Sequence, residues 1–288
     1  MTKIVNSEAD NLYIDTNANS TSKKRRLVNY IIDEGNTDNP LTIIFIHGAG
    51  GNKNQWRRQW EHLAKRGHRL IAWDAFGHGR SPQPRDWEAY QGSLLVDDFL
   101  TILDRFASRQ VILVGHSYGT LIALSALSRL QQQGTLARIK AAVLLAPPSP
   151  NGPLELGILA LPSFVLEWLR PKLSAGFRQL AWHPEADPAL IAHEEEQTRS
   201  NSLFMIKAIR SQVLQLAPQE LSRLSIPIEI LAGTADRLTP PAQAEALQAL
   251  LPQAELHLVE GCAHQIMLEQ PDATNALLDQ VIQRHLQA

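Results

Sequence analysis

The chain has 288 residues, of which 44% are hydrophobic and 19% charged, which is enough apolar material for a sizeable core and excludes a disordered chain. Its 27 Lys and Arg residues nearly balance 29 Asp and Glu residues, so a net charge of −2 argues against nucleic acid or anionic lipid as a partner. The single cysteine, Cys262, excludes an internal disulfide, and residues 1–11 lack the apolar stretch of a signal peptide, so a cytoplasmic location is expected.

Short apolar runs alternate with helical patterns along most of the chain. Residues 1–24 are polar and predict a flexible tail or an edge strand, and the basic run at residues 23–26 is expected to face solvent. Strand-like runs follow at residues 41–46, 69–73, 111–114, 141–145, 226–231 and 255–259, with helical patterns at 54–65, 94–106, 121–130, 243–250 and 265–286. This alternation predicts an α/β fold with a parallel sheet covered on both faces.

Residues 149–221 interrupt the alternation, because they contain prolines and helical patterns but no strand-like run. They predict a helical cap inserted into a core of residues 25–148 and 222–288. Such insertions commonly form a binding wall, so the apolar Phe164 and Trp168 are candidate substrate contacts. The acidic run at 193–196 is expected to be solvated, since three consecutive carboxylates on a helix cannot face one ion. No metal site and no membrane span are predicted.

The motif G-H-S-Y-G at residues 115–119 fits G-x-S-x-G and lies between a strand-like run and a helical pattern. Its glycines allow a tight turn that projects the serine hydroxyl above the sheet, and the N–H groups of the following helix can face an oxyanion. A serine is a weak nucleophile without a general base. The motif therefore predicts a nucleophile at Ser117 and requires a histidine elsewhere.

Two later residues complete a triad in the order serine, acid, histidine. Asp236 follows the run at 226–231 and His264 follows the run at 255–259, so both lie where parallel strands end and ligand chemistry collects. His264 would take the Ser117 proton, and Asp236 would fix the imidazole tautomer. Asp74 precedes the serine in the chain and is expected to hold its own loop instead. His47, His78 and His116 are expected to be hydrogen-bonded scaffold.

An oxyanion hole needs two N–H donors, one of them usually from the residue after the nucleophile, here Tyr118. The other is expected from the glycine-rich sequence H-G-A-G-G at residues 47–51, with Ala49 as the choice and Gly50 as the alternative. A phosphate-binding G-x-G-x-x-G is not completed, because Lys53 stands at the third glycine position. No nucleotide cofactor is therefore expected.

From about Leu41 onward the chain resembles the α/β-hydrolase superfamily. The matching features are His47-Gly48, Asp74 with G-H-G-R-S at 77–81, the serine motif, Asp236, and His264 followed by Glu269 and Pro271. The resemblance implies an eight-stranded, mostly parallel sheet, a cap after the sixth strand, and acyl-enzyme chemistry without a cofactor. Similar scaffolds that carry dehalogenases and epoxide hydrolases use an aspartate where this chain has Ser117.

These observations favour a serine hydrolase that cleaves a small apolar carboxylic ester. C–C bond hydrolases, thioesterases and amidases could use the same triad, so the leaving group stays open. A non-catalytic ligand-binding or interaction protein on the same fold is the alternative from another class. The oligomeric state also stays open.

Overall fold

The computed structural model describes residues 10–15, 25–36, 41–151 and 156–286. Its sheet contains β1 (Asp10–Asp15), β2 (Arg25–Asp33), β3 (Leu41–Ile46), β4 (Arg69–Asp74), β5 (Gln110–His116), β6 (Ile139–Leu145), β7 (Ile228–Gly233) and β8 (Ala254–Val259). The spatial order is β1-β2-β4-β3-β5-β6-β7-β8. β2 is antiparallel to both β1 and β4, and the other neighbouring strands are parallel. The expected eight-stranded, mostly parallel sheet is confirmed.

Helices cover both faces of the sheet. They are α1 (Arg57–Ala64), α2 (Gly92–Phe106), α3 (Tyr118–Gln132), α4 (Ser163–Ala181), α5 (Pro188–Thr198), α6 (Leu203–Ser211), α7 (Pro218–Leu221), α8 (Pro241–Leu250), α9 (Ile266–Glu269) and α10 (Pro271–Leu286). α4 to α7 lie between β6 and β7, in the interval of the predicted cap. None of the helices in the described ranges has the length and apolar character to cross a membrane.

Alternate side chains of the central strands pack into two separate hydrophobic clusters, one on each face of the sheet. On β3, Ile44 and Ile46 join a cluster that includes residues of α2 and α3, whereas Ile43 and Phe45 join one that includes residues of α1 and α10. All of β3 is buried, as expected for a strand covered on both faces. The parallel strands end at one edge, and the loops that follow β3, β5, β7 and β8 carry the predicted site residues.

Two predictions about the helices and the amino-terminal segment need correction. The single helix predicted for residues 265–286 is two helices, because Gln270 leaves the helical conformation before Pro271, which begins α10. Residues 10–15 form the edge strand that the sequence allowed instead of a flexible tail, with Leu12 and Ile14 buried and Tyr13 exposed in strand alternation. Residues 1–9 and 16–24 lie outside the described residues.

The basic run at residues 23–26 was expected to face solvent, and this prediction is wrong for Arg26. The Arg26 guanidinium is buried and donates from Nε to Oδ1 of Asp98 at 2.8 Å and from Nη2 to Oδ2 at 2.7 Å. It also lies 3.9 Å from the centre of the Phe76 ring. Burial raises the pKa of Asp98 above its ordinary value, and the charge and hydrogen bonds of Arg26 oppose that rise only in part. This pair joins β2 to α2 in the core.

We expect Asp98→Ala to destabilise the fold by about 3 to 5 kcal/mol, because it leaves the Arg26 charge buried without a counter-charge. Urea unfolding measures the change in the free energy of unfolding. Asp97→Ala on the same helix is the matched control, since it breaks only the more exposed ion pair to Arg129 and should cost at most about 1 kcal/mol. Equal losses in the two variants would contradict a structural role for the buried pair.

Candidate active site

Ser117 occupies a strained turn between β5 and α3, with φ of 52° and ψ of −124°. Non-glycine residues rarely adopt a positive φ, and the surrounding structure must impose it. The neighbouring chain leaves no room for side chains. A Cβ atom on Gly119 would lie 2.3 Å from the Ile46 carbonyl oxygen, and one on Gly48 would lie 2.9 Å from Cβ of Ser117. The glycines therefore serve the close approach that the motif predicts.

Backbone hydrogen bonds hold this turn without using the serine hydroxyl. The Ser117 N–H donates to the Leu145 carbonyl at 2.8 Å, and the Ser117 carbonyl accepts from the N–H and the hydroxyl of Thr120. No hydrogen bond joins the Ser117 hydroxyl to His264 within the part of the chain that the structure describes. Among the described residues, the hydroxyl of the predicted nucleophile has no hydrogen-bond partner.

The structure brings Asp236 and His264 together as a buried pair. His264 Nδ1 lies 2.8 Å from Asp236 Oδ2, and Oδ1 of the same carboxylate accepts the N–H groups of Leu238 and Thr239, each at 2.8 Å. The Thr239 hydroxyl donates to Asp236 Oδ2 at 2.7 Å. Since a carboxylate can only accept, Nδ1 carries the imidazole proton and Nε2 is left as an acceptor.

Burial by itself would raise the pKa of Asp236. The hydrogen bond and charge of His264 and the hydrogen bonds from Thr239 outweigh that effect together, so the pKa lies below its ordinary value. Asp236 is therefore ionised at neutral pH and can orient the imidazole. Sequence order predicted this pair, but it did not reveal the contribution of Thr239.

The His264 loop is anchored by Glu269, which the sequence marked only as part of a family resemblance. Glu269 Oε1 accepts the N–H groups of Ala263 at 3.2 Å and Gln265 at 3.1 Å, and Oε2 accepts the His183 N–H at 2.8 Å. Burial raises the pKa of Glu269, and these three N–H groups oppose that rise. The carboxyl group therefore fixes the backbone on both sides of His264.

His116 connects the serine turn to the His264 loop. The Gln55 side-chain nitrogen lies 3.3 Å from His116 Nδ1, and because an amide NH₂ can only donate, Nδ1 accepts. His116 Nε2 then donates to the His264 carbonyl at 2.9 Å. Burial and, secondarily, the His264 charge lower the pKa of His116 to about 3, so it stays neutral. His116 is hydrogen-bonded scaffold, as the sequence predicts.

The glycine-rich loop after β3 is held by His47. His47 Nε2 accepts the Ala75 N–H at 2.9 Å, so Nδ1 carries a proton and donates to the Gly48 carbonyl at 2.8 Å. The Gly51 N–H donates to the same carbonyl at 3.0 Å. In a trans peptide the Ala49 N–H points opposite to that carbonyl. It faces away from His47 and has no hydrogen-bond partner among the described residues.

Asp74 holds its own loop through Arg80, as expected, and it also holds the glycine-rich loop through a buried ion pair with Lys53. Its carboxylate accepts the Lys53 N–H at 2.8 Å, Lys53 Nζ at 2.6 Å and the Arg80 N–H at 2.9 Å. Lys53 Nζ also donates to Asn29 Oδ1 on β2 at 2.6 Å. The sequence identified Lys53 only as a missing glycine, because its partners lie in other elements.

The helices of the predicted cap, α4 to α7, contact the loops that carry Asp236 and His264. At the end of α4, the Leu180 carbonyl accepts the Arg237 N–H and the Ala181 carbonyl accepts the His264 N–H, both at 3.1 Å. In the acidic run at 193–196, the expectation of a solvated surface is wrong for Glu194. This side chain is buried and pairs with Arg57 Nη1 of α1 at 2.6 Å. The pair binds α5 to the core.

Phe164 and Trp168, the predicted substrate contacts, are exposed on α4. Their side chains are 76% and 78% accessible to solvent, whereas Leu166 between them is fully buried. An amphipathic helix buries one face only, and the pattern of α4 did not show which face that would be. No described contact brings either ring to Ser117, so their role stays a prediction.

One group of metal-ligand types lies away from the serine, on β7 and β8. Oxygen and nitrogen atoms of Glu229, Glu255 and His257 lie within 4.8 Å of one another. Arg284 lies against this group, with Nη1 at 2.9 Å from Glu229 and 3.7 Å from Glu255. The guanidinium already compensates the carboxylates, so the arrangement is an ion-pair network. The sequence offered one signal for this network, because Glu255 and His257 are two residues apart on β8 and therefore lie on the same face of the strand.

The sequence and the fold of the chain are similar to those of several known proteins. The model of the alpha/beta hydrolase family matches residues 43–277. Protein ABHD8 of Mus musculus is 27% identical over 248 residues, which are 84% of this chain and 55% of that protein, so the chain spans about half the length of such relatives. A non-heme chloroperoxidase of Streptomyces lividans is 25% identical over 82% of this chain and 89% of its own length. The solved structure of a thermophilic esterase from Thermogutta terrifontis matches the fold with a TM-score of 0.79 at 19% identity, over 96% of this chain and all of the other.

The low pKa of Asp236 predicts a pH-dependent contribution to stability. The pKa of Asp236 in the folded chain lies below its value of about 3.9 in the unfolded chain. At pH values between the two, the unfolded chain therefore binds more protons than the folded chain. The contribution is complete above the unfolded pKa and is lost as the pH falls through the folded pKa. We therefore expect Asp236→Asn to lose less free energy of unfolding than the wild type between about pH 5 and about pH 3.

Urea unfolding at a series of pH values measures this difference. Asp272→Asn, which changes an exposed carboxylate at the start of α10, is the control and should follow the wild-type curve. The interpretation would be wrong if Asp236→Asn showed the same acid dependence as the wild type.

Proposed function

Since the chain belongs to the alpha/beta hydrolase family, we propose that it is a serine hydrolase with Ser117 as nucleophile, His264 as general base and Asp236 as the orienting acid. The observation that carries this proposal is the buried hydrogen bond between Asp236 and His264, which leaves the imidazole Nε2 free to accept a proton. The His116 bond supports it further, because it links the His264 loop to the residue before Ser117.

The proposed reaction begins when His264 Nε2 takes the Ser117 hydroxyl proton and Oγ attacks the substrate carbonyl carbon. The tetrahedral intermediate collapses, and the imidazolium returns the proton to the leaving alcohol. A water molecule, deprotonated by the same imidazole, then attacks the acyl carbon. The bond to Ser117 Oγ breaks, the imidazolium returns the proton to Oγ, and the acid is released. Every proton transfer uses His264, and the ionised Asp236 stabilises each imidazolium. The reaction requires no cofactor.

We assign the oxyanion hole to the N–H groups of Ala49 and Tyr118. Tyr118 is the first residue of α3, so its N–H has no acceptor within the helix. The orientation of the Gly48 carbonyl supports Ala49 over Gly50, because it turns the Ala49 N–H away from the groups that hold the loop. Two such donors stabilise the charge that develops on the carbonyl oxygen.

A small apolar carboxylic ester is the proposed substrate. Exposed aromatic rings of the cap favour an apolar group, and structures of the same fold include several enzymes named esterases. The related proteins also include one named a proline iminopeptidase and one named a chloroperoxidase, so the fold carries other chemistries. A series of esters, thioesters, amides and cleavable diketones tests which leaving group is preferred.

We expect Ser117→Ala to abolish labelling by a fluorophosphonate probe and to lower ester turnover by at least about 1,000-fold, because the variant has no nucleophile. Hydrolysis of a short-chain nitrophenyl ester and mass spectrometry of the labelled protein measure both effects. Ser125→Ala, in the buried part of α3, is the matched control and should keep turnover and labelling. Persistent turnover in Ser117→Ala would reject the serine mechanism, and stoichiometric ligand binding without turnover in the wild type would favour a binding protein.

Trp168 offers a test of the predicted substrate contacts. If its exposed ring binds the apolar part of the ester, Trp168→Ala should raise KM for a long-chain ester about tenfold, which corresponds to ~1.4 kcal/mol of lost apolar contact, and leave kcat unchanged. Phe177→Ala is the matched control, because Phe177 is also exposed on α4 but lies about 180° around the helix from Trp168. Unchanged KM in Trp168→Ala would exclude this contact.

A further inference from the structure

A buried asparagine in the turn between α5 and α6 binds the loop that carries the Ala49 N–H. Asn201 is only 4% exposed. Its side-chain Nδ2 donates to the Gly50 carbonyl at 2.6 Å, and its Oδ1 accepts the Gly79 N–H at 3.3 Å. One amide therefore connects the cap to two loops at the carboxyl edge of the sheet.

The Asn201 turn is itself fixed from both sides. Arg170 of α4 donates from Nη2 to the Asn201 carbonyl at 3.0 Å. The next residue, Ser202, donates its N–H to Gln83 Oε1 of the core at 3.1 Å. The position of the Asn201 amide thus depends on how the cap helices lie against the core.

The Gly50 carbonyl belongs to a peptide group that is hydrogen-bonded on both sides. Gly50 has a φ of 78°, and its carbonyl shares a peptide group with the Gly51 N–H, which donates to the Gly48 carbonyl. Asn201 and Gly48 therefore hold opposite sides of one peptide. The same Gly48 carbonyl sets the direction of the Ala49 N–H. The Asn201 bond thus closes a chain of contacts that ends at this N–H.

Other contacts between cap and core do not reach this peptide. The Arg57 ion pair with Glu194 and the hydrogen bond from Asn52 to the Gln197 carbonyl hold α5 but leave the Gly50 carbonyl untouched. Ile206 of α6 packs over Gly50, where its Cδ1 would lie 3.3 Å from an added Cβ atom. Among these contacts between cap and core, only the one made by Asn201 brings a side-chain donor to the backbone of the glycine-rich loop.

We propose that Asn201 is a positioning residue that couples the seating of the cap to the orientation of the Ala49 N–H in the oxyanion hole. The inference rests on the proposed serine hydrolase function. It predicts a defect in the chemical step, because a misdirected N–H weakens binding of the oxyanion and leaves binding of the ground-state ester intact.

The test compares Asn201→Ala and Asn201→Asp with the wild type in hydrolysis of a short-chain nitrophenyl ester. We expect kcat to fall about 10- to 100-fold with little change in KM, and the rate of fluorophosphonate labelling of Ser117 to fall in parallel. Glu194→Gln is the matched control, because it removes the ion pair between α5 and Arg57 without touching Gly50 or the Asn201 turn, and should keep kcat. Any variant with a lowered Tm is assayed at a temperature at which circular dichroism shows it folded.

A second readout separates positioning from simple packing. A protonated aspartic acid at position 201 can donate to the Gly50 carbonyl, whereas a carboxylate cannot. The kcat of Asn201→Asp relative to that of Asn201→Ala should therefore rise as the pH falls. If the wild type is active and both variants keep its kcat, or if only KM rises, the inference is wrong and the proposed function stands. A wild type without ester turnover or labelling would reject the proposed ester hydrolase and the inference together.

Discussion

The positive φ of Ser117 costs about 1 to 3 kcal/mol, which contacts elsewhere in the fold must offset. The Leu145 carbonyl of β6 binds its N–H, and the close approach of Gly119 to the end of β3 leaves no space in which the turn could relax. The turn is therefore held from the centre of the sheet on both sides. Because the same strands carry the neighbouring loops, the relative positions of the proposed nucleophile and oxyanion donors follow from the packing of the sheet.

Sequence patterns predict the central strands well, since strands buried on both faces need continuous apolar runs. They missed the second strand because it contains polar residues at buried positions. Arg26 and Asn29 on β2 are buried, and their partners are distant in the chain: Asp98 of α2 for Arg26, and Lys53 for Asn29. A polar residue with a distant partner looks solvated in the sequence, so only the fold can reveal the pair.

The candidate site also contains residues that the sequence predicted and residues that only the fold reveals. Motif spacing and chain order predicted the positions of Asp236 and His264, because each follows a strand that ends at one edge of the sheet. The residues that fix them, Thr239 and Glu269, depend on the path of each loop, which no short motif encodes. Tautomers were also unpredictable, because each one is set by a hydrogen-bond partner that the fold supplies.

The cap contacts the Asp236 and His264 loops through main-chain atoms, the carbonyl oxygens of Leu180 and Ala181. Backbone carbonyls are the same whichever side chains surround them, so these contacts do not require particular residues at the end of α4. The exposed surface of α4 is thus free to vary in sequence while both loops keep their anchors. A family built on this arrangement can change the shape and polarity of its cap through single substitutions, with no compensating change among the residues beneath.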